Sequence, residues 1–254
     1  MAAVSSQVLA LWTSEQIEGT QWVLLRDVAV DACRVRLKGK SEDERLELIE
    51  KNLPFIAEHL RNDRASMLAD GIVPKYEIDE EERPYVRRCG DEYPEILKQL
   101  RTRDPFEFER LCAEILSKLG ARSEVTGKTW DGGVDFLAID FDFVPDGLPT
   151  PNACRAAVIG QAKRYKDGNA VKESDLRKFV GGALRRRHEL IRHQRISPLS
   201  PVVYAFWTTS SFESNARAFG RAMGIWYMEG STLAKYCNDL GLQHFVANLR
   251  PDIR

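Results

Sequence analysis

The chain has 254 residues, 43% hydrophobic and 30% charged, with a net charge of −1 at neutral pH, the composition of an ordinary globular protein of one large or two smaller domains. Its five cysteines (Cys33, Cys89, Cys112, Cys154, Cys237) are scattered and form no CxxC or Cys/His cluster, which speaks against a zinc site or a disulfide framework. No basic segment precedes an apolar stretch at the N-terminus and no apolar run reaches the ~20 residues of a membrane span, so a reducing cytoplasm is the expected setting.

Taken in order, residues 3–68 read as helical. Val8, Leu9, Leu11 and Trp12 begin an apolar stripe that Trp22, Val23, Leu25, Val28 and Ala29 continue. Ser41 with Glu44 three residues on is a capping-box signature, and Pro54 should kink or end the helix it opens, with a further helix over 55–68. Residues 71–94, with Pro74, Pro84, Pro94 and the acidic run 77–82, read as a linker. The expected division is a helical accessory or regulatory domain over 1–95 with an acidic linker, and a second domain over 104–254.

The second domain opens at Asp104 and Pro105, a plausible N-cap and first helical residue. Phe108, Leu111, Cys112, Ile115, Leu116 and Leu119 then make one amphipathic stripe. Strands are expected over 122–126, 134–140, 156–162, 201–208 and 225–228. Helices are expected over 172–194, broken at Gly181 and Gly182, and over 213–223 and 231–240. That order predicts an α/β domain, a mixed β-sheet flanked by helices.

Net neutrality conceals a division of charge. Residues 41–95 hold 16 acidic and 8 basic side chains, whereas residues 155–221 hold 14 basic and 5 acidic. A basic sector on a near-neutral chain points to a polyanionic partner at one face, with Arg164, Lys166, Lys172, Arg177, Lys178 and Arg185 the candidate contacts.

The stretch 131–163 carries the chemistry. Asp135 follows Gly132-Gly133, and Gln161 and Lys163 close an apolar run, two residues apart and therefore on one face of a strand. If the two runs pair, a carboxylate, an amide and an ammonium meet at one end of a sheet, a set that suits a divalent cation and a phosphate. Other patterns fall away. Gly127-Lys128-Thr129 lacks the earlier glycine of a phosphate loop, His188 and His193 are badly spaced for one helix face, and Thr208–Ser211 lack a glycine elbow and a base, so helix capping or a phosphate contact is expected of them.

The segments FEFERLCAEILSKLGA, EVTGKTWDGGVDFLAID, VIGQAKRYK, FVGGAL and FWTTSSFESNARAFGRAMGIWYMEGSTLAKY, in that order over 104–240, resemble the Mrr-type restriction endonuclease family of the PD-(D/E)xK nuclease superfamily. The resemblance implies a restriction-endonuclease-like fold and a Mg²⁺-dependent DNA endonuclease, with Mn²⁺ as a substitute, in restriction or phage defence. It implies a site of Glu109, Asp135, Gln161 and Lys163, with Asp135, Gln161 and Glu109 toward the metal. Gln161 stands where the superfamily usually has a second acidic residue, which weakens the cation's hold. Glu107 and Glu114 are rivals of Glu109. Double-stranded DNA and a second copy of the chain are the implied partners, with a further partner or signal at the first domain. Two rival readings use the same residues: a DNA-binding module that does not cut, and an effector nuclease gated by a nucleotide or partner at the first domain.

Overall fold

The computed structural model describes residues 4–69, 71–90, 93–126, 133–142, 151, 154–165 and 169–252, which fall into two compact units divided after Gly90. The first unit packs α1 (Ser6–Gln16), α2 (Leu25–Arg36) and α3 (Glu42–Ala69) with a small antiparallel sheet of β1 (Val23–Leu24), β2 (Tyr76–Ile78) and β3 (Tyr85–Arg88), ordered β1-β3-β2. Leu25, Ile49, Ile56, Leu60, Tyr76, Ile78 and Val86 make one core.

The capping box forms: Ser41 N donates to Glu44 Oε2 (2.8 Å) and Glu44 N to Ser41 Oγ (3.2 Å). Two expectations are corrected here. The helix opened at Ser41 does not end at Pro54, and 55–68 is no separate helix: both lie within α3, where Ile49, Ile56 and Leu60 bury one face and offset the lost backbone bond. Residues expected as a linker instead supply β2 and β3. Glu77 of the acidic run pairs with Arg87 across that hairpin, and Asp79 Oδ1 accepts the N–H groups of Glu81 and Tyr85. A polar, proline-bearing stretch became strand because Tyr76, Ile78 and Val86 alternate into the core.

In the second unit α4 (Pro94–Thr102) and α5 (Pro105–Lys118) precede a mixed five-stranded sheet, ordered β10-β8-β6-β5-β4 among the described residues. β4 (Arg122–Val125), β5 (Phe136–Phe141) and β6 (Ala156–Lys163) run antiparallel; β6, β8 (Val202–Thr208) and β10 (Ile225–Met228) run parallel. β7 (Ala170–Val171) pairs with β9 (Ser211–Phe212), and α6 (Glu173–Arg192), α7 (Ser214–Ala222), α8 (Gly230–Asp239) and α9 (Gln243–Asn248) complete the unit. α6 is continuous through Gly181-Gly182. The packing of Leu176, Phe179, Ala183 and Leu190 offsets the roughly 1 kcal/mol cost of each glycine.

Alternation along the strands gives the sheet two faces. Phe136, Ala138, Val158, Ala205 and Trp207 form one core with α4, α5, α8 and α9. Phe206 turns the other way, edge-on to Phe179 of α6 and Phe212. The Phe136 ring lies against Gly160, where any Cβ would come within 2.1 Å of it, so only glycine fits.

Candidate active site

Asp135 sits just before β5 and is held on three sides. Its N–H donates to Gly160 O (2.8 Å), its C=O accepts from Thr126 N (3.0 Å), and its Oδ2 accepts from Ala162 N (2.9 Å). Thr126 also donates through Oγ1 to Val134 O (2.5 Å), gripping the approach to Asp135. The carboxylate therefore bonds to the strand residue lying between Gln161 and Lys163.

Gln161 and Lys163 are half-buried at the end of β6, in register with Phe206 and Thr208 of β8, and so face α6. Gly133, at φ +85°, makes room for Gln161: a Cβ there would lie 3.0 Å from Gln161 Nε2. Asp135 is thus bonded to the end of β6 that bears Gln161 and Lys163.

Glu109 arrives differently. α5 begins as read from the sequence, with Asp104 Oδ1 accepting from Phe106 N (3.0 Å), and packs against the opposite face of the sheet. Its Cys112 is buried beside Cys237. Burial first, then the charges of Cys237, Asp135 and Glu109, push the Cys112 thiol well above its usual value. Glu109 is half-buried on the same helix. The rival Glu107 is fully buried and committed elsewhere, accepting from Arg110 Nη1 (2.9 Å) and Arg250 Nε (3.0 Å). Glu114 is half-buried.

Asp135, Glu109 and the Gln161 carbonyl offer hard oxygens of the kind Mg²⁺ selects, and Mg²⁺ retains several waters instead of demanding a full protein cage. Among the described residues no three His, Cys, Asp or Glu side chains gather as a metal site. A divalent cation held by such oxygens would take its remaining ligands from water and a phosphate.

The basic residues divide. Arg164 is turned away from α6: Nη2 pairs with Asp252 Oδ2 at 2.5 Å, both side chains about nine-tenths buried (10% and 11% exposed), and Nη1 donates to Arg101 O (3.1 Å). Lys166 lies outside the described residues, as do Gly127–Thr129 and the prolines at 145 and 149. Lys172, Arg177, Lys178 and Arg185 are exposed, at the start of α6 or along it. Arg177 pairs with Glu173 (2.6 Å) and covers the Phe219 ring at 4.6 Å, and Arg185 pairs with Glu189 (3.2 Å).

Thr208 and Thr209 were read from sequence only as caps or phosphate contacts. Both are fully buried, and both bond to the backbone leaving β6. Two threonines directly after the most apolar strand were the available signal.

Residues 100–194 match the Mrr catalytic domain, a restriction endonuclease family. The match begins in α4, ends two residues past α6, and contains Glu109, Asp135, Gln161 and Lys163. It supports a DNA endonuclease. Among solved structures the chain is similar to the MspJI restriction endonuclease in complex with a 27-mer oligonucleotide (20% identity, TM-score 0.39, covering 56% of this chain and 30% of that one). It is also similar to the DNA modification-dependent restriction endonuclease AspBHI (18% identity, TM-score 0.40, 63% and 40%). A third likeness is to the restriction endonuclease FokI bound to DNA (12% identity, TM-score 0.37, 96% and 46%). The chain spans less than half the length of each. No curated protein matches it.

Proposed function

We propose that the second unit is a Mg²⁺-dependent endodeoxyribonuclease, Mn²⁺ substituting, that hydrolyses phosphodiester bonds of double-stranded DNA. The observation that carries this reading is the bond from Ala162 N to the Asp135 carboxylate. It joins a strand-end acid to the strand that bears Gln161 and Lys163, inside the segment matched by the Mrr domain.

Asp135 is the principal metal-holding residue, with the Gln161 carbonyl beside it. Glu109, coming from the helix on the other face, contributes less. When bound, the cation polarises the scissile phosphate and stabilises the charge that builds on it. The Lys163 ammonium, on the same face as Gln161, neutralises part of that charge and orients the incoming water. Lys172, Arg177, Lys178 and Arg185 on α6 hold DNA phosphates without reading bases, so affinity falls steeply with salt. Arg164, engaged with Asp252, adds little.

Around this core the reading extends to a homodimer that cuts both strands, a cytoplasmic role in restriction or phage defence, and a partner or signal taken by the first unit, whose acidity suits that better than duplex binding. No described helix is long and apolar enough to cross a membrane.

Supercoiled plasmid incubated with the protein and Mg²⁺ should be nicked or linearised. Asp135→Asn and Lys163→Met should each lower the cleavage rate by about 10³-fold, with filter-binding affinity for DNA within twofold of wild type. Glu109→Gln should cost about tenfold less than Asp135→Asn. Wild-type protein that binds plasmid and leaves it intact at every Mg²⁺ and Mn²⁺ concentration supports the non-cutting module instead. Cleavage seen only after removal of residues 1–90 supports the gated nuclease.

A further inference from the structure

A strand that runs past its ladder loses the bonds that fix its backbone. β6 does this at the residue that matters most. Its pairing with β8 ends at Lys163 opposite Thr208, yet Arg164 and Tyr165 continue beyond. The protein replaces the missing ladder with hydroxyls. Thr208 Oγ1 donates to Lys163 O (2.7 Å), and Thr209 N donates to the same carbonyl (3.3 Å). Thr209 Oγ1 takes Tyr165 on both sides of its backbone, accepting from its N–H and donating to its C=O, each at 2.9 Å. Neither threonine has any exposed surface.

The grip is itself anchored. Thr209 O accepts from Arg101 Nε (3.3 Å), and a Cβ on Gly230 would come within 2.4 Å of that oxygen, so the loop has little room to shift. Arg164 is fastened on the opposite face through Arg101 and Asp252, whose N–H donates to Thr102 O (2.8 Å). A buried hydroxyl that both donates and accepts is not replaceable by a methyl of the same size, because two backbone groups lose their partner at once.

We infer that Thr209, with Thr208, is a positioning residue of the nuclease site: it clamps the backbone on either side of Arg164 so that the Lys163 side chain is held toward the reacting phosphate. Both threonines lie beyond the segment matched by the family, so the matched motif is completed by residues outside it. The inference rests on the nuclease reading for its catalytic consequence, and on the hydrogen bonds alone for the clamp.

The test compares Thr209→Val, Thr209→Ser and Thr208→Val in the full chain. Thr209→Val should lower the single-turnover cleavage rate at saturating plasmid by at least tenfold, while DNA affinity measured without metal stays within twofold. Thr209→Ser, which keeps the hydroxyl, should stay within threefold of wild type. Thr208→Val should fall between them. Amide hydrogen exchange is the second measurement. Thr209→Val should speed exchange over 163–165 at least tenfold and leave the α5 amides protected as in wild type. Unchanged cleavage in Thr209→Val, equal loss of cleavage and binding, or unchanged exchange at Tyr165 overturns the inference. Uniformly faster exchange across the sheet also overturns it, since the threonines then serve the fold at large. If wild type cuts no DNA, the nuclease reading falls and takes the catalytic role with it, while exchange still decides whether the clamp exists.

Discussion

In the first unit several ion pairs lie at the surface: Arg26 pairs with Glu50, Arg36 with Glu15, and Arg34 with Asp31 and Glu42, each of these side chains at least 41% exposed. Of its polar side chains, Thr13 is buried and bonds within its own helix, to Leu9 O, and the buried Tyr76 hydroxyl donates to Leu60 O of α3. The second unit takes more polar groups inside: Thr208 and Thr209 bond the backbone at the end of β6, Glu229 bonds Phe212 N, and Glu107 accepts from the side chains of Arg110 and Arg250. Burying such groups is unfavourable unless each is bonded, and once bonded they fix geometry more tightly than apolar contact does. The unit richer in internal polar bonds is the one that carries the candidate active site, which is where a backbone has to be held in one place.

The sharpest way to break that contrast is at Gly160. Gly160→Ala should destabilise the second unit by about 3 kcal/mol, because the Phe136 ring has no room to yield. Urea denaturation followed by Trp207 fluorescence reads this, and adding Phe136→Leu should recover part of the loss. Next comes Arg164→Met, which removes the guanidinium paired with the mostly buried Asp252 carboxylate. The expected cost is about 2 kcal/mol, short of the roughly 3–5 kcal/mol of a fully buried pair. DNA affinity should hold, and a variant that folds normally yet loses binding would return Arg164 to the DNA surface.

A smaller effect concerns pH. Burial raises Cys237 to about 12 and holds Cys112 well above 9.0. In the unfolded chain these thiols ionise near ~8.5. The folded state therefore keeps protons that the unfolded state releases, so stability is level below that pH and falls as pH rises from there toward the folded values. Melting temperatures between pH 7 and 10.5 should show this slope, flattened in Cys112→Ala. Smallest of all, Arg34→Ala should leave the denaturation midpoint of the first unit unchanged, since exposed pairs are screened by solvent.

Much of this was legible beforehand for identifiable reasons. Apolar runs such as 156–162 and 202–208 are too regular to hide, and Ser41/Glu44 and Asp104/Pro105 mark helix starts through purely local bonds. The placing of Asp135 beside the strand end that bears Gln161 and Lys163 followed from period-two alternation and a single pairing. What escaped was decided at long range. β2 and β3 formed in a polar stretch because a core elsewhere wanted Tyr76, Ile78 and Val86. Glu107 and Arg164 looked as available as their neighbours until Arg250 and Asp252, from the far end of the chain, claimed them. The threonines gripping β6 show only as two hydroxyls, the first of them 45 residues from the carbonyl to which Thr208 donates.

That separation has a consequence for synthesis. A nascent chain ending before Val202 already contains Glu109, Asp135, Gln161 and Lys163, but β6 then has β5 alone beside it and nothing around its exit. Parallel pairing with β8 must wait until α6 and the turn after it have been made, because the crossover has to close first. The clamp on β6 therefore stays incomplete on the ribosome until about the last fifth of the chain, from Val202 onward, has emerged.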